Sequence, residues 1–196
     1  MIAIVGDIDT GAPTTASWTS LVEVGRAAVA AGARVEAVGV VAEGPDGDRL
    51  LGRLARDDLG HAAVLRSAAA SLEPADLGLA LRYLPDLRVL VLLGVAEALM
   101  PAAVEGAAFA GATMLVVTTG NGAPTGLPPD AIVMQGPPNG AAGTFAGFVG
   151  HLAARLDGGA SPAVAWSETV AALAIEPRTE WLSASEGVGW ERRAPS

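Results

Sequence analysis

The sequence predicts an α/β protein, a mostly parallel sheet with helices on both faces. Three observations predict it. Short apolar runs alternate along the chain with longer segments of helical periodicity. Several runs, "IAIVG", "LRVLVLLG" and "TMLVVTTG", are continuously apolar, as strands buried on both faces are. The 196 residues show no internal repeat, linker or composition break, so 1–196 reads as one domain with 177–196 as a peripheral tail.

The elements follow in order. "IAIVG" (2–6) is a buried first strand ending in Gly-Asp. Ser17 is placed to cap a helix through "WTSLVEVGRAAVAAG" that stops at Gly32. "RVEAVGVV" (34–41) alternates and then turns wholly apolar, as a strand, and "EGPDGD" is a turn cluster. "DRLLGRLARDDLG" puts Leu50, Leu51, Leu54 and Leu59 at roughly helical spacing, and "HAAVLR" is a short strand. "EPADLGLALRYL" is a helix with Pro74 in its first turn. "LRVLVLLG" (87–94) is the clearest buried strand. "VAEALMPAAVEGAAFAG" is then a helix kinked at its Pro, and "TMLVVTTG" a further strand. After the loop "NGAPTGLPPD" come the strand "AIVMQ", the helix "NGAAGTFAGFVGHLAARLDGG" and the helix "SPAVAWSETVAALAIE". The tail holds "TEWLSAS" as a last short strand.

Composition narrows the function classes. A net charge of −9 disfavours contact with a phosphate backbone, so no nucleic-acid partner is expected. All 12 basic residues are Arg, which removes P-loop and Schiff-base lysines. There is no Cys, hence no disulfide, thiol catalyst or Cys-based zinc site. Two histidines, His61 and His151, are too few for a multi-histidine metal centre, and both read as structural. The N-terminus lacks the pattern of a signal peptide. Glu97, Pro101 and Glu105 interrupt the most hydrophobic stretch, so it reads as strand, helix, strand and not as a membrane span. A cytoplasmic protein is expected. Charged residues are only 17% against 51% hydrophobic, so part of the surface is apolar and a homodimer is the simplest partner arrangement.

In a sheet of this kind ligands bind at the carboxyl ends of the strands. Three segments there could carry chemistry. "VGDIDTG" places Asp7 and Asp9 after the first strand, where carboxylates accept hydrogen bonds from sugar or nucleoside hydroxyls; ordinary turn chemistry explains them equally well. "VVTTGNG" leaves a buried strand through Thr118, Thr119, Gly120, Asn121 and Gly122, a turn that lets a nucleotide phosphate approach the backbone, or simply a turn. "PPNGAAGTFAGF" (137–148) runs from a Pro/Asn/Gly loop into a helix. Small residues there leave the first amides open to an anion at the positive end of the helix dipole, or let the helix pack closely on the sheet.

Taken together these segments resemble the PfkB/ribokinase family of sugar and nucleoside kinases. "GRAAVAAGARVEAVGVVAEGPDGDRLLGRLARDDLG" is similar to the family's early helix, V-x-x-V-G strand, Asp/Gly turn and Leu-rich helix. "VLVLLGVAEAL" resembles the strand leading into the N-x-x-E motif, with Gly94 at the Asn and Glu97 at the Glu. "VVTTGNGA" resembles the T-x-G-x-x-G turn beside the nucleotide, and "GAAGTFAGF" the signature G-A-G-D-x-F-x-x-G-F.

The resemblance implies a ribokinase-like three-layer α/β/α sandwich, with ATP and an alcohol meeting at the signature loop. Its amides would form an anion hole from Asn139, Gly140, Ala141, Ala142 and Gly143. Thr118, Gly120 and Gly122 would lie at the nucleotide, and Glu97 would touch Mg2+ through water. In the family the signature Asp deprotonates the acceptor; here Gly143 holds that position and Pro137-Pro138 replaces the preceding Asp-Thr. The segment after the first strand is too short for the family's β lid.

The expected function is therefore small-molecule or anion binding on a kinase-derived scaffold, with phosphotransfer lost or strongly altered. The alternatives are an active kinase using Asp7 or Asp9 as base, a pseudoenzyme working in homo-oligomer or partner assembly, and a different reaction on a phosphorylated or sugar-like compound.

Overall fold

The computed structural model describes residues 1–6, 20–68, 71–118, 124–136 and 142–174. Six strands form one sheet: β1 (Ile2–Gly6), β2 (Val35–Val41), β3 (Gly60–Arg66), β4 (Val89–Leu93), β5 (Thr113–Thr118) and β6 (Ile132–Gln135). Their order is β3-β2-β1-β4-β5-β6, and every pairing is parallel. The central strands have no polar side chain inside because both faces are covered. All five residues of β4, "VLVLL", are buried.

Six helices make the two outer layers: α1 (Leu21–Ala30), α2 (Pro45–Arg56), α3 (Pro74–Tyr83), α4 (Met100–Ala110), α5 (Ala142–Asp157) and α6 (Pro162–Leu173). Side-chain alternation sorts them. Ile2, Ile4, Val89, Val91, Leu115, Val117 and Met134 point to one face, where they pack with α1, α2, α5 and α6. Ala3, Val5, Leu90, Leu92, Met114 and Val116 point to the other, against α3 and α4. Edge-to-face contact between Phe148 and Trp166, with ring centroids 4.7 Å apart, ties α6 to α5.

The chain reverses direction across the sheet between β1 and β4. From β1 it winds outward through β2 and β3 on one face; from β3 it returns by α3 on the opposite face and winds outward again through β5 and β6. That is a doubly wound sheet, with its topological switch between β1 and β4.

Two expectations about local structure need correction. The "EGPDGD" cluster is not all turn: α2 starts inside it at Pro45, after Gly44 at φ +100. A proline with no N–H to donate suits a first turn, where that N–H has no partner. For the same reason Pro101 does not kink a long helix. A 3-10 turn (Glu97–Leu99) precedes it, and Pro101 lies in the first turn of α4.

Helix α1 begins at Leu21 after Ser20, so the cap expected at Ser17 and the tail strand in 179–185 lie outside the described residues. The stretch from Leu90 to Val117 is strand, 3-10 turn, helix and strand, as its interrupting charges imply. Among the described residues no helix is long and apolar enough to cross a membrane, and no second sheet forms a lid.

Candidate functional site at the carboxyl edge of the sheet

Strand register brings the sequence-predicted segments to one edge. Gly6 pairs with Leu93. The Gly94 N–H donates to Val117 O at 3.0 Å, and Thr118 pairs with Gln135. The ends of β1, β4, β5 and β6 are thus neighbours in a row, about 4.8 Å apart per strand. Asp7 and Asp9 follow the first of these ends, and 137–141 follow the last.

Each predicted residue can now be located. Thr118 ends β5, and its Oγ1 donates to Met134 O at 3.4 Å. Glu97 opens the 3-10 turn after β4, and its Oε1 accepts from Thr125 Oγ1 at 3.1 Å. That bond links the loop after β5 to the turn after β4. Ala142 is the first residue of α5, and Gly143 lies exposed in the same turn. Among the described residues a Cβ built at Gly143 would meet nothing within 4 Å. Asp7, Asp9, Gly120, Gly122, Asn139, Gly140 and Ala141 lie outside the described residues.

The histidines lie away from this edge. His61 is at the start of β3, the opposite end of the sheet, with Nδ1 3.2 Å from Leu59 O. His151 is nine residues into α5 from Ala142, about 13 Å along the helix at its usual rise.

The edge also holds a cavity of about 200 Å3 that sequence reading did not identify. It opens over the ends of β2, β1 and β4, at the topological switch. Gly6, Gly39, Gly94, Leu72 and Leu99 line it, and among the described residues Ser71 is its one polar side chain. Its size suits a sugar-sized group rather than a drug-sized ligand. A signal existed: "IVG", "AVG" and "LLG" each carry a glycine where a strand ends or thins. Val5 pairs with Val38, so the first two glycines stand side by side across the β1–β2 pair.

Gly94 has φ +58. This left-handed conformation is one that glycine adopts freely and asparagine tolerates. It accounts for a glycine at the place where the N-x-x-E motif has Asn. Gly94→Asn is expected to lower the melting temperature less than Gly94→Val. The β-branched variant should lose about 1–2 kcal/mol, roughly 2–8 °C for a chain of this size. Equal losses in calorimetry would show that the backbone conformation does not set the preference.

Among the described residues no cluster of three or more His, Asp or Glu could hold a metal ion. Among the described residues Glu97 is not part of any such cluster. A single carboxylate suits Mg2+ that keeps most of its waters and takes its other ligands from phosphate oxygens.

No family model matches the sequence, and no curated protein matches it either. Solved structures do. The chain resembles a ribokinase II protein from E. coli, in complex with ATP and Mg2+, at 12% identity and TM-score 0.56, over 95% of this chain and 94% of that one. It resembles phosphofructokinase-2 from Escherichia coli, in complex with fructose-6-phosphate, at 15% identity and TM-score 0.54, over 78% and 79% of the two chains. Against a PfkB family carbohydrate kinase from Listeria grayi the identity is 15% and the TM-score 0.41, and the match covers 60% of this chain and spans about half, 51%, of that one. With a six-stranded parallel sheet, helices on both faces and these structural neighbours, the chain has the ribokinase-like α/β fold.

Proposed function

We propose that the protein binds a small sugar-, nucleoside- or phosphate-like molecule at the carboxyl edge of its sheet, and that phosphoryl transfer there is lost or strongly reduced. The observation that carries this reading is Gly143. By the sequence resemblance it stands where the kinase signature has its Asp; it is exposed in the first turn of α5, and among the described residues nothing lies within 4 Å of a side chain's Cβ there. A phosphotransferase needs a positioned base for the acceptor hydroxyl, and removing one costs about 10²–10⁴ in rate.

In this reading the amides at 139–143 hold the anionic group, helped by the helix dipole. The cavity over Gly6, Gly39 and Gly94 takes the compact remainder of the ligand. Thr118, Gly120 and Gly122 border a nucleotide if one binds, and Glu97 orients water on its Mg2+. The metal, when bound, would neutralise phosphate charge.

The test is ligand-induced stabilisation alongside ATP turnover, with panels of sugars, nucleosides, inorganic phosphate and ATP with Mg2+. A ligand at about 100 times its Kd should add about 2.7 kcal/mol, a rise of roughly 5–11 °C in Tm. Turnover should stay near background. Rapid turnover abolished by Asp7→Asn or Asp9→Asn would replace this reading with that of an active kinase. No stabilisation by any member of the panels would remove the binding site altogether.

A further inference from the structure

We infer that Thr125 is a positioning residue of the carboxyl edge: its hydroxyl orients the Glu97 carboxylate and latches residues 124–131 onto the turn that walls the cavity. The inference rests on the proposed function, which gives Glu97 a water on Mg2+. Thr125 Oγ1 donates to Glu97 Oε1 at 3.1 Å, across 28 residues of sequence. Among the described residues it is the one hydrogen-bond partner of the Glu97 side chain. A glutamate without a partner samples several rotamers, whereas one held at an oxygen keeps its carboxylate in one orientation. The contact is open to solvent, so a hydrated cation can reach the carboxylate.

The 3-10 turn Glu97–Leu99 has two working sides. In such a helix side chains three residues apart eclipse each other. Ala96, the cap, and Leu99, the last residue, therefore share a side, and both line the cavity. The Leu99 N–H closes the turn on Ala96 O at 2.9 Å. Glu97 stands about 120° around from Ala96 and reaches instead to the loop after β5. Packing seats that loop in the same place. Thr125 and Gly126 form a tight turn, with Gly126 at φ +78. Leu127 follows, and it packs with Val95 on the buried cluster that contains Leu99. Ala131 ends the segment, its N–H donating to Pro128 O at 3.0 Å. The entrance to the 3-10 turn is fixed by the sheet, since the Gly94 N–H donates to Val117 O. The orientation of Glu97 depends on one hydroxyl. Removing that hydroxyl should leave the core untouched, because both side chains are exposed.

Hydrogen exchange reads the latch without any ligand, at the amides of Ala131 and Leu99. Thr125→Val removes the hydroxyl and keeps the shape, and should raise exchange at both amides about fivefold. Glu97→Ala should do the same, and the double variant should exchange no faster than either alone. Thr125→Ser should match wild type. Calorimetric titration reads the positioning. Thr125→Val should bind ATP with Mg2+ about tenfold more weakly than wild type, and ATP with EDTA equally well. Unchanged exchange in Thr125→Val, or additive effects of the two substitutions, overturns the latch. An affinity that Thr125→Val leaves unchanged, or lowers equally with and without Mg2+, overturns the positioning. A wild-type chain that takes up no ATP with Mg2+ removes the metal from the proposed function, and the positioning role with it. Exchange at Ala131 and Leu99 still decides the latch in that case, so the two failures are told apart.

Discussion

Gly150→Ala should destabilise the protein, while Gly147→Ala, less than one turn earlier on the same helix, should stabilise it. Intrinsic propensity favours alanine over glycine by about 1 kcal/mol inside a helix. At Gly147 nothing lies within 4 Å of the added methyl, so that gain is kept. At Gly150 the methyl would fall 2.4 Å from Val24 O, 2.6 Å from Ala27 Cβ and 2.8 Å from Ala28 N. Two of those atoms are backbone of α1 and cannot rotate away. Helix α1 must move off α5, and overpacking of this kind costs about 1–3 kcal/mol.

In calorimetry Gly150→Ala should melt lower than wild type by up to about 8 °C, the overpacking being partly offset by alanine's helix propensity. Gly150→Leu should leave little folded protein, since native stability is only about 5–15 kcal/mol in total. The consequence reaches function, because α5 also presents Gly143 to the carboxyl edge. Equal stability of the two alanine variants would mean that α1 and α5 do not meet at this glycine.

Strands and helices were legible because the periodicities differ and because buried parallel strands have no room for polar residues. "VLVLL" can be read in no other way. Helix starts were harder where proline was involved. A proline preceded by apolar residues looks like an interruption, yet Pro101 begins α4 because its missing N–H costs nothing there. The "EGPDGD" cluster misled for the same reason at Pro45.

The strand ends that reach the carboxyl edge were legible, since the strand directions follow from the alternation of strand and helix. The cavity was not identified. It is assembled from Gly6, Gly39 and Gly94, which become neighbours only after the return through α3 places β4 beside β1. Nothing local in the sequence states where the winding reverses.

Gly143→Asp should convert a protein with near-background ATP turnover into one with a measurable phosphotransferase rate, by a factor of about 10²–10⁴. Three features support the size of that effect. Among the described residues nothing lies within 4 Å of the new Cβ, so none of them is displaced by the carboxylate. The first turn of a helix favours an acidic residue by about 0.3–1 kcal/mol, so the variant should melt no lower than wild type. A silent variant could not then be attributed to misfolding. The amino end of α5, Thr118 at the end of β5, and Glu97, tied by Thr125 to the loop after β5, lie at the same edge.

Single-turnover assays with ATP, Mg2+ and the acceptor that most stabilises wild type would read the gain. The gain should appear in the rate of transfer rather than in ligand affinity, because a base acts on the transition state. Gly143→Asn offers the same volume without a base and should gain nothing. If Asp and Asn behaved alike, and both left turnover at background, position 143 would not stand at a reacting centre. The missing carboxylate would then not be what limits phosphoryl transfer. If only Asp restored transfer, the loss of one side chain would account for most of the distance between this chain and a working kinase.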